Sequence, residues 1–160
     1  MRKPGDGRRA TGNKGFTMIE LITVVIILGL LSGIAILKYM DLRNQARAAE
    51  VAGDFRTVLV AAYNYYSDHN DWPPDGPAGA PPPTLVQYLP SSFEFTKEEW
   101  TLDFDNLGVG GGDYVVGVTL NTGNADLMNK LVRTLGTKQP YFQGGGGTLT
   151  YIISGADGGA

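Results

Sequence analysis

Cysteine is missing from all 160 residues, and histidine occurs once, as His69. Without thiols there is no disulfide framework, no zinc knuckle and no cysteine nucleophile. His69 follows Asp68 at what the pattern below makes a helix end, a place for a surface or capping histidine rather than a catalytic base. Phosphate-binding loops are lacking too, because the glycine runs at 110–112 and 144–147 are followed by no Lys-Ser/Thr pair. No nucleophile elbow, metalloprotease helix or dinucleotide fingerprint occurs, and the chain is not expected to be an enzyme. Residues 1–15 hold five Lys or Arg and one Asp, +4, which leaves −7 for the rest of a chain of net charge −3. So acidic a body lacks the cations that phosphate contacts need, and no direct nucleic-acid partner is expected.

What the chain does have is one long apolar run. Phe16 to Leu37 makes 22 residues with a single acid, Glu20. At roughly 1.5 Å per residue that is a helix of about 30 Å, the thickness of a bilayer's hydrocarbon layer. A carboxylate in such a span costs about 2.5–3.5 kcal/mol at the centre and less near an end, so Glu20 calls for a partner or for access to water. Five basic residues before the run, against Lys38, Arg43 and Arg47 shortly after it, favour an amino terminus on the cytoplasmic side. Gly29 and Gly33 form a G-x-x-x-G pair that permits close helix packing, although glycine is also ordinary in membrane helices. With Ser32 they make this turn the weakest part of the helix.

Gly-Phe-Thr-Met-Ile-Glu-Leu at residues 15–21, behind a short basic leader and ahead of the apolar run, closely resembles the processing site of type IV prepilins and type II secretion pseudopilins. The resemblance is specific over residues 14–36 and only architectural beyond them. It implies that residues 1–15 are a leader removed by a prepilin peptidase and methyltransferase, with cleavage between Gly15 and Phe16 and N-methylation of Phe16. It also implies that Glu20 meets the Phe16 amino terminus of a neighbouring subunit as a filament grows. The partners implied are further copies of the chain in a helical filament, the membrane before assembly, and an inner-membrane assembly platform with its ATPase. The location implied is a single pass of the inner membrane, amino terminus inside, followed by a cell-surface or periplasm-spanning filament. A structural subunit of a type IV pilus-like filament is therefore the expected function. A pseudopilin of type II secretion or of a DNA-uptake filament is the alternative, and a single-pass membrane-anchored binding module a more distant one. Many type IV pilins carry proline where Leu37 stands, so here any unwinding in the filament would depend on Gly29, Ser32 and Gly33.

Beyond Lys38 the helical pattern continues. Ala48, Val51, Ala52, Phe55, Val58, Leu59, Ala62, Tyr65 and Tyr66 follow helical spacing, with Arg43, Arg47, Glu50, Asp54 and Thr57 on a polar face. The helix is expected to run from Phe16 to about Ser67, its residues 38–68 packing on a head formed by 69–160. Trp72-Pro73-Pro74 ends it, and the Pro/Gly-rich stretch 71–83 reads as a surface loop with Trp72 folded back. Tyr63, Tyr65, Tyr66 and Trp72 are expected to serve packing rather than a stacking surface for a ligand. Thr84 is expected to cap a short helix before Pro90. Strands are predicted at 100–104, 113–120 and 148–154, and a helix at 125–135 stopped by Gly136. Asn106 to Gly112 reads as a hairpin loop and 144–147 as a flexible linker. The expected fold class is α+β, a long amino-terminal helix with a small antiparallel sheet laid on its amphipathic half. Asp103, Asp105, Asn106 and Asp113 carry oxygen ligands suited to Ca²⁺, and the resemblance implies that some relatives use it. The spacing fits no EF-hand, and solvated turn acids are the simpler reading, so no cofactor is expected and these aspartates are weak metal candidates.

Overall fold

The structure is a computed structural model that describes residues 15–110 and 113–154, without the side chains of 108–110, 113 and 114. Helix α1 spans Met18–His69, β1 Thr101–Gly110, β2 Asp113–Asn121, α2 Ala125–Leu135, β3 Tyr141–Gln143 and β4 Thr148–Ser154. The chain divides into two compact units between Met40 and Asp41, inside α1. The leader expected at 1–15 lies, Gly15 apart, outside the described residues.

In the first unit every described residue is exposed, including large apolar side chains from Phe16, at 88%, to Met40, at 54%. The helix is unbroken through Gly29 and Gly33. Ser32 Oγ donates to the Leu28 carbonyl at 2.7 Å, which satisfies the hydroxyl without leaving the helix.

In the second unit α1 supplies Ala48, Val51, Phe55, Val58, Ala61 and Ala62 to a fully buried core. The four strands are antiparallel in the order β1-β2-β4-β3. Leu102, Phe104, Val118, Leu120, Leu149, Tyr151 and Ile153 alternate onto the sheet face that meets this core, and α2 adds Leu127, Met128 and Leu131. Phe55 stacks on Tyr151 with ring centroids 5.4 Å apart. Asn124 caps α2 through its side-chain oxygen, which accepts from Leu127 N at 3.0 Å.

Several expectations need correction. Strand β1 runs on through Gly110 instead of giving way to a loop at Asn106. Asn106 pairs with Val116 and Leu107 with Val115, two β-branched partners on β2 that extend the ladder toward the glycines despite their poor strand propensity. Residues 111–112 lie outside the described set. Strand β3 was not foreseen, since three residues are too few to show a period. The stretch 144–147 is a built turn between β3 and β4 and not a linker. Gly147 has φ +84° and its carbonyl accepts from Thr122 N at 3.0 Å, and a Cβ there would lie 2.2 Å from the Thr122 oxygen.

Thr84 caps nothing: the short turn Val86–Tyr88 begins from Leu85, whose N–H donates to Pro82 O at 2.9 Å, while the Thr84 hydroxyl is buried without a partner. Asp54, expected on the polar face, is buried and takes Lys97 Nζ at 3.0 Å, with Glu50 on the same ammonium at 2.7 Å. Tyr66, expected on the apolar face, is exposed and stacks on Trp72. The helix ends at His69, whose Nδ1 lies 3.0 Å from the Tyr65 carbonyl, and Asn70 turns the chain with φ +53°. The proline-rich stretch does more than connect. Gly76 N donates to Phe104 O at 3.2 Å and Gly79 N to Leu102 O at 2.8 Å, so it covers the outer edge of β1.

Candidate functional site

Two groups of residues carry the expected chemistry, one at the start of α1 and one on the outer face of β1. At the first, Gly15 and Phe16 are exposed, and Thr17 and Glu20 bind each other reciprocally. Glu20 Oε2 accepts from Thr17 N and from the Thr17 hydroxyl, both at 2.8 Å, and Glu20 N donates to Thr17 Oγ1 at 3.3 Å. This is a capping box, in which the side chains at the first turn satisfy amide groups that no preceding turn can reach. A negative charge there also meets the positive end of the helix dipole. The acid that looked unpartnered in sequence is thus held by its own chain. The T-x-x-E signature at residues 17–20 was legible in the sequence and was missed there.

Further along, Gly29 and Gly33 present open surface, for a Cβ at either would meet nothing within 4 Å. Among the described residues, nothing packs closely enough to require either glycine.

On β1, Asp103 and Asp105 fall two residues apart on the face opposite Leu102 and Phe104, in a strand and not in a turn. The Thr119 hydroxyl donates to Asp105 and lies 2.8 Å from the Thr150 hydroxyl. Asp75 Oδ1 accepts from Asn106 N at 3.2 Å. Burial raises the Asp103 carboxyl above its ordinary value of 3.8, and the charges of Asp105 and Asp75 raise it further. Its Oδ1 is buried without a hydrogen bond. The side chain of Asp113 lies outside the described residues. Among those described, no three acidic or histidine side chains converge to hold a metal ion.

A folded-state pKa above the unfolded one means that the fold prefers the protonated carboxyl. The stability Asp103 contributes is therefore present below pH 3.8 and lost as pH rises through its folded value. Asp103→Asn is accordingly expected to raise the melting temperature at pH 7 and to change it little below pH 3.8, as measured by circular dichroism of the detergent-solubilised chain. An equal effect at both pH values would show that charge is not the cause.

Parts of this chain are similar to known proteins. The model of the prokaryotic N-terminal methylation motif matches residues 11–36, and that of the PilW C-terminal region matches residues 43–94. The type IV major pilin protein PilE1 of Neisseria gonorrhoeae is 37% identical over 73 residues, 46% of this chain and 34% of the relative. Over parts of its length this chain is similar to type IV pilins and to a type II secretion core protein. The type II secretion system core protein G of Pseudomonas aeruginosa is 34% identical to this pilin-like chain over 59 residues, 37% of the chain and 42% of the relative. Among solved structures, the major type IV pilin PilA1 from Clostridium difficile aligns over 71% of this chain and 98% of its own, with TM-score 0.47 and 22% identity. The matches span 34% to 48% of the length of the PilE1 relatives.

Proposed function

We propose that this chain is a structural subunit of a type IV pilus-like filament, cleaved after Gly15, methylated on Phe16 and assembled through α1. The observation that carries the reading is the exposure of every large apolar side chain from Phe16 to Met40 on a helix headed by the matched methylation motif. Burying one such side chain is worth roughly 1.5–3 kcal/mol, so a helix apolar on all sides is stable only in lipid or against other apolar helices. Lipid serves before assembly, with the amino terminus inside. The same helices from other copies serve afterwards, and the Gly29–Gly33 turn is where they could approach most closely.

Glu20 would exchange part of its Thr17 cap for the new amino group of a neighbouring Phe16, an ion pair in a low-dielectric core. No cofactor enters this scheme. The pseudopilin alternative uses the same amino-terminal chemistry and is supported by the likeness to the secretion protein G. Mass spectrometry of the chain recovered from cells that contain a prepilin peptidase is expected to find an amino-terminal Phe16 carrying one methyl group. An intact leader in chains recovered from filaments would overturn the scheme.

A further inference from the structure

Within the second unit, the cations fall into two groups. Arg43 and Arg47 pair with Glu99, Lys97 with Glu50 and Asp54, and Lys130 with Asp41 at 2.6 Å. Arg56, Arg133 and Lys138 form no ion pair among the described residues, although the chain after Gly15 is acidic by seven charges. Two of these three, Arg56 and Lys138, stand on the walls of one cleft of about 390 Å³. Its other walls include Ala52, Thr134, Gln139 and Tyr151, and no carboxylate lines it.

The cleft is held from several sides. Gly136 stops α2 with its N–H on Val132 O at 3.0 Å, Ile152 N ties back to Pro140 O at 2.8 Å, and the Tyr151 hydroxyl donates to Gln139 at 2.7 Å. Lys138 is therefore carried on a five-residue connection, Gly136 to Pro140, that is pinned at both ends.

We propose that this cleft receives Asp75, the exposed acid of the stretch that covers β1, with the half-buried Asp103 and Asp105 behind it, from a second copy of the chain. The proposal rests on the filament reading and adds to it a contact between heads. Charge complementarity selects the occupant. Asp103 and Asp105 on β1 and Asp75 beside them crowd one another, and Arg56 and Lys138 lie beside Tyr151 of β4 and the approach to β3. In the order β1-β2-β4-β3 these are opposite sides of the sheet. An acidic patch and a basic cleft on different sides of one molecule cannot satisfy each other within it. Joined between copies they make a heterologous contact, and each added copy leaves one free patch of each sign. Such a contact propagates without closing, as a filament requires. Part of the strength should be lost in salt, since exposed charges are screened over about 8 Å at physiological ionic strength.

The absence of cysteine supplies a clean test. Full-length chains carrying Lys138→Cys together with Asp75→Cys are assembled, oxidised and run without reductant. A ladder of cross-linked multimers is expected, while Lys138→Cys with Asp126→Cys, an exposed acid on α2, should remain largely monomeric. Filaments visible by electron microscopy with no ladder from the first pair, or with equal ladders from both, would overturn the contact and leave the filament reading standing. Wild-type chains that form no filaments and carry no methylated Phe16 would instead remove the filament reading. As a second arm, Lys138→Glu and Asp75→Lys are each expected to lower filament yield by at least about fivefold, through like-charge juxtaposition, and their combination to restore it. Failure of the combination to recover yield, with both single variants folded by circular dichroism, would also overturn the contact.

Discussion

Glu20→Ala is expected to leave cleavage after Gly15 intact while reducing filament yield to below about one tenth, given that removing one partner of a desolvated ion pair costs about 3–5 kcal/mol. Alanine removes two things, however. It deletes the carboxylate, and it opens the capping box with Thr17, whose N–H and hydroxyl both donate to Glu20. Loss of a cap costs only about 1 kcal/mol, too little to account for failure of assembly. Glu20→Gln separates the two contributions, because glutamine keeps an oxygen that Thr17 can reach and carries no charge. Both variants are expected to be processed, as read by the size of the mature chain, and both to assemble poorly. If Glu20→Gln formed filaments as well as the wild type, the cap and not the charge would be what assembly needs. Gly15→Ala should act one step earlier and leave the leader in place.

The second large effect belongs to the head. Phe55 is fully buried where α1 crosses the sheet and stacks on Tyr151 at 5.4 Å. Phe55→Ala is expected to cost about 3–5 kcal/mol, from lost transfer energy and the cavity left behind. Against a total of about 5–15 kcal/mol, that lowers the melting temperature by something on the order of 10–20 °C. Val60, on the same helix but 54% exposed, provides the control, and Val60→Ala should change stability by less than about 0.5 kcal/mol. Equal melting temperatures for the two variants would mean that α1 is not part of the head's core. The wild-type melting curve should also fall away at alkaline pH. Burial opposes the Lys97 charge, yet the hydrogen bonds it donates to Glu50 and Asp54 prevail and lift its pKa above 10.5. The stability it contributes is therefore lost as pH rises through that higher value.

The amino-terminal half was the most legible part of the chain, for reasons particular to its residues. An apolar run bounded by Gly15-Phe16 and charged only at Glu20 carries its meaning in order and spacing, with no dependence on distant contacts. The helical period of Ala48, Val51, Phe55, Val58 and Ala62 likewise marked which face of α1 would be buried. Asp54 defeated that period. Sequence puts an acid on the solvent side by default, and only Lys97, 43 residues away, explains why it is tolerated inside. The aspartates read as turn acids were misplaced for another reason. Asp103 and Asp105 lie on a strand face and not beside a loop, because the ladder with β2 extends the strand past them.

The sequence alone was enough to determine a membrane-length apolar helix, its leader-like start, the amphipathic continuation, α2 and the cores of β1, β2 and β4. All of these depend on local order, composition or short-range period, which a linear chain displays directly. Only the tertiary structure decided the sheet order, the cover that the proline-rich stretch places over β1, the pairing of Asp54 with Lys97 and the gathering of Arg56 and Lys138 around one cleft. Each of these joins residues tens of positions apart, and such contacts are set by packing among elements whose registers no single segment encodes.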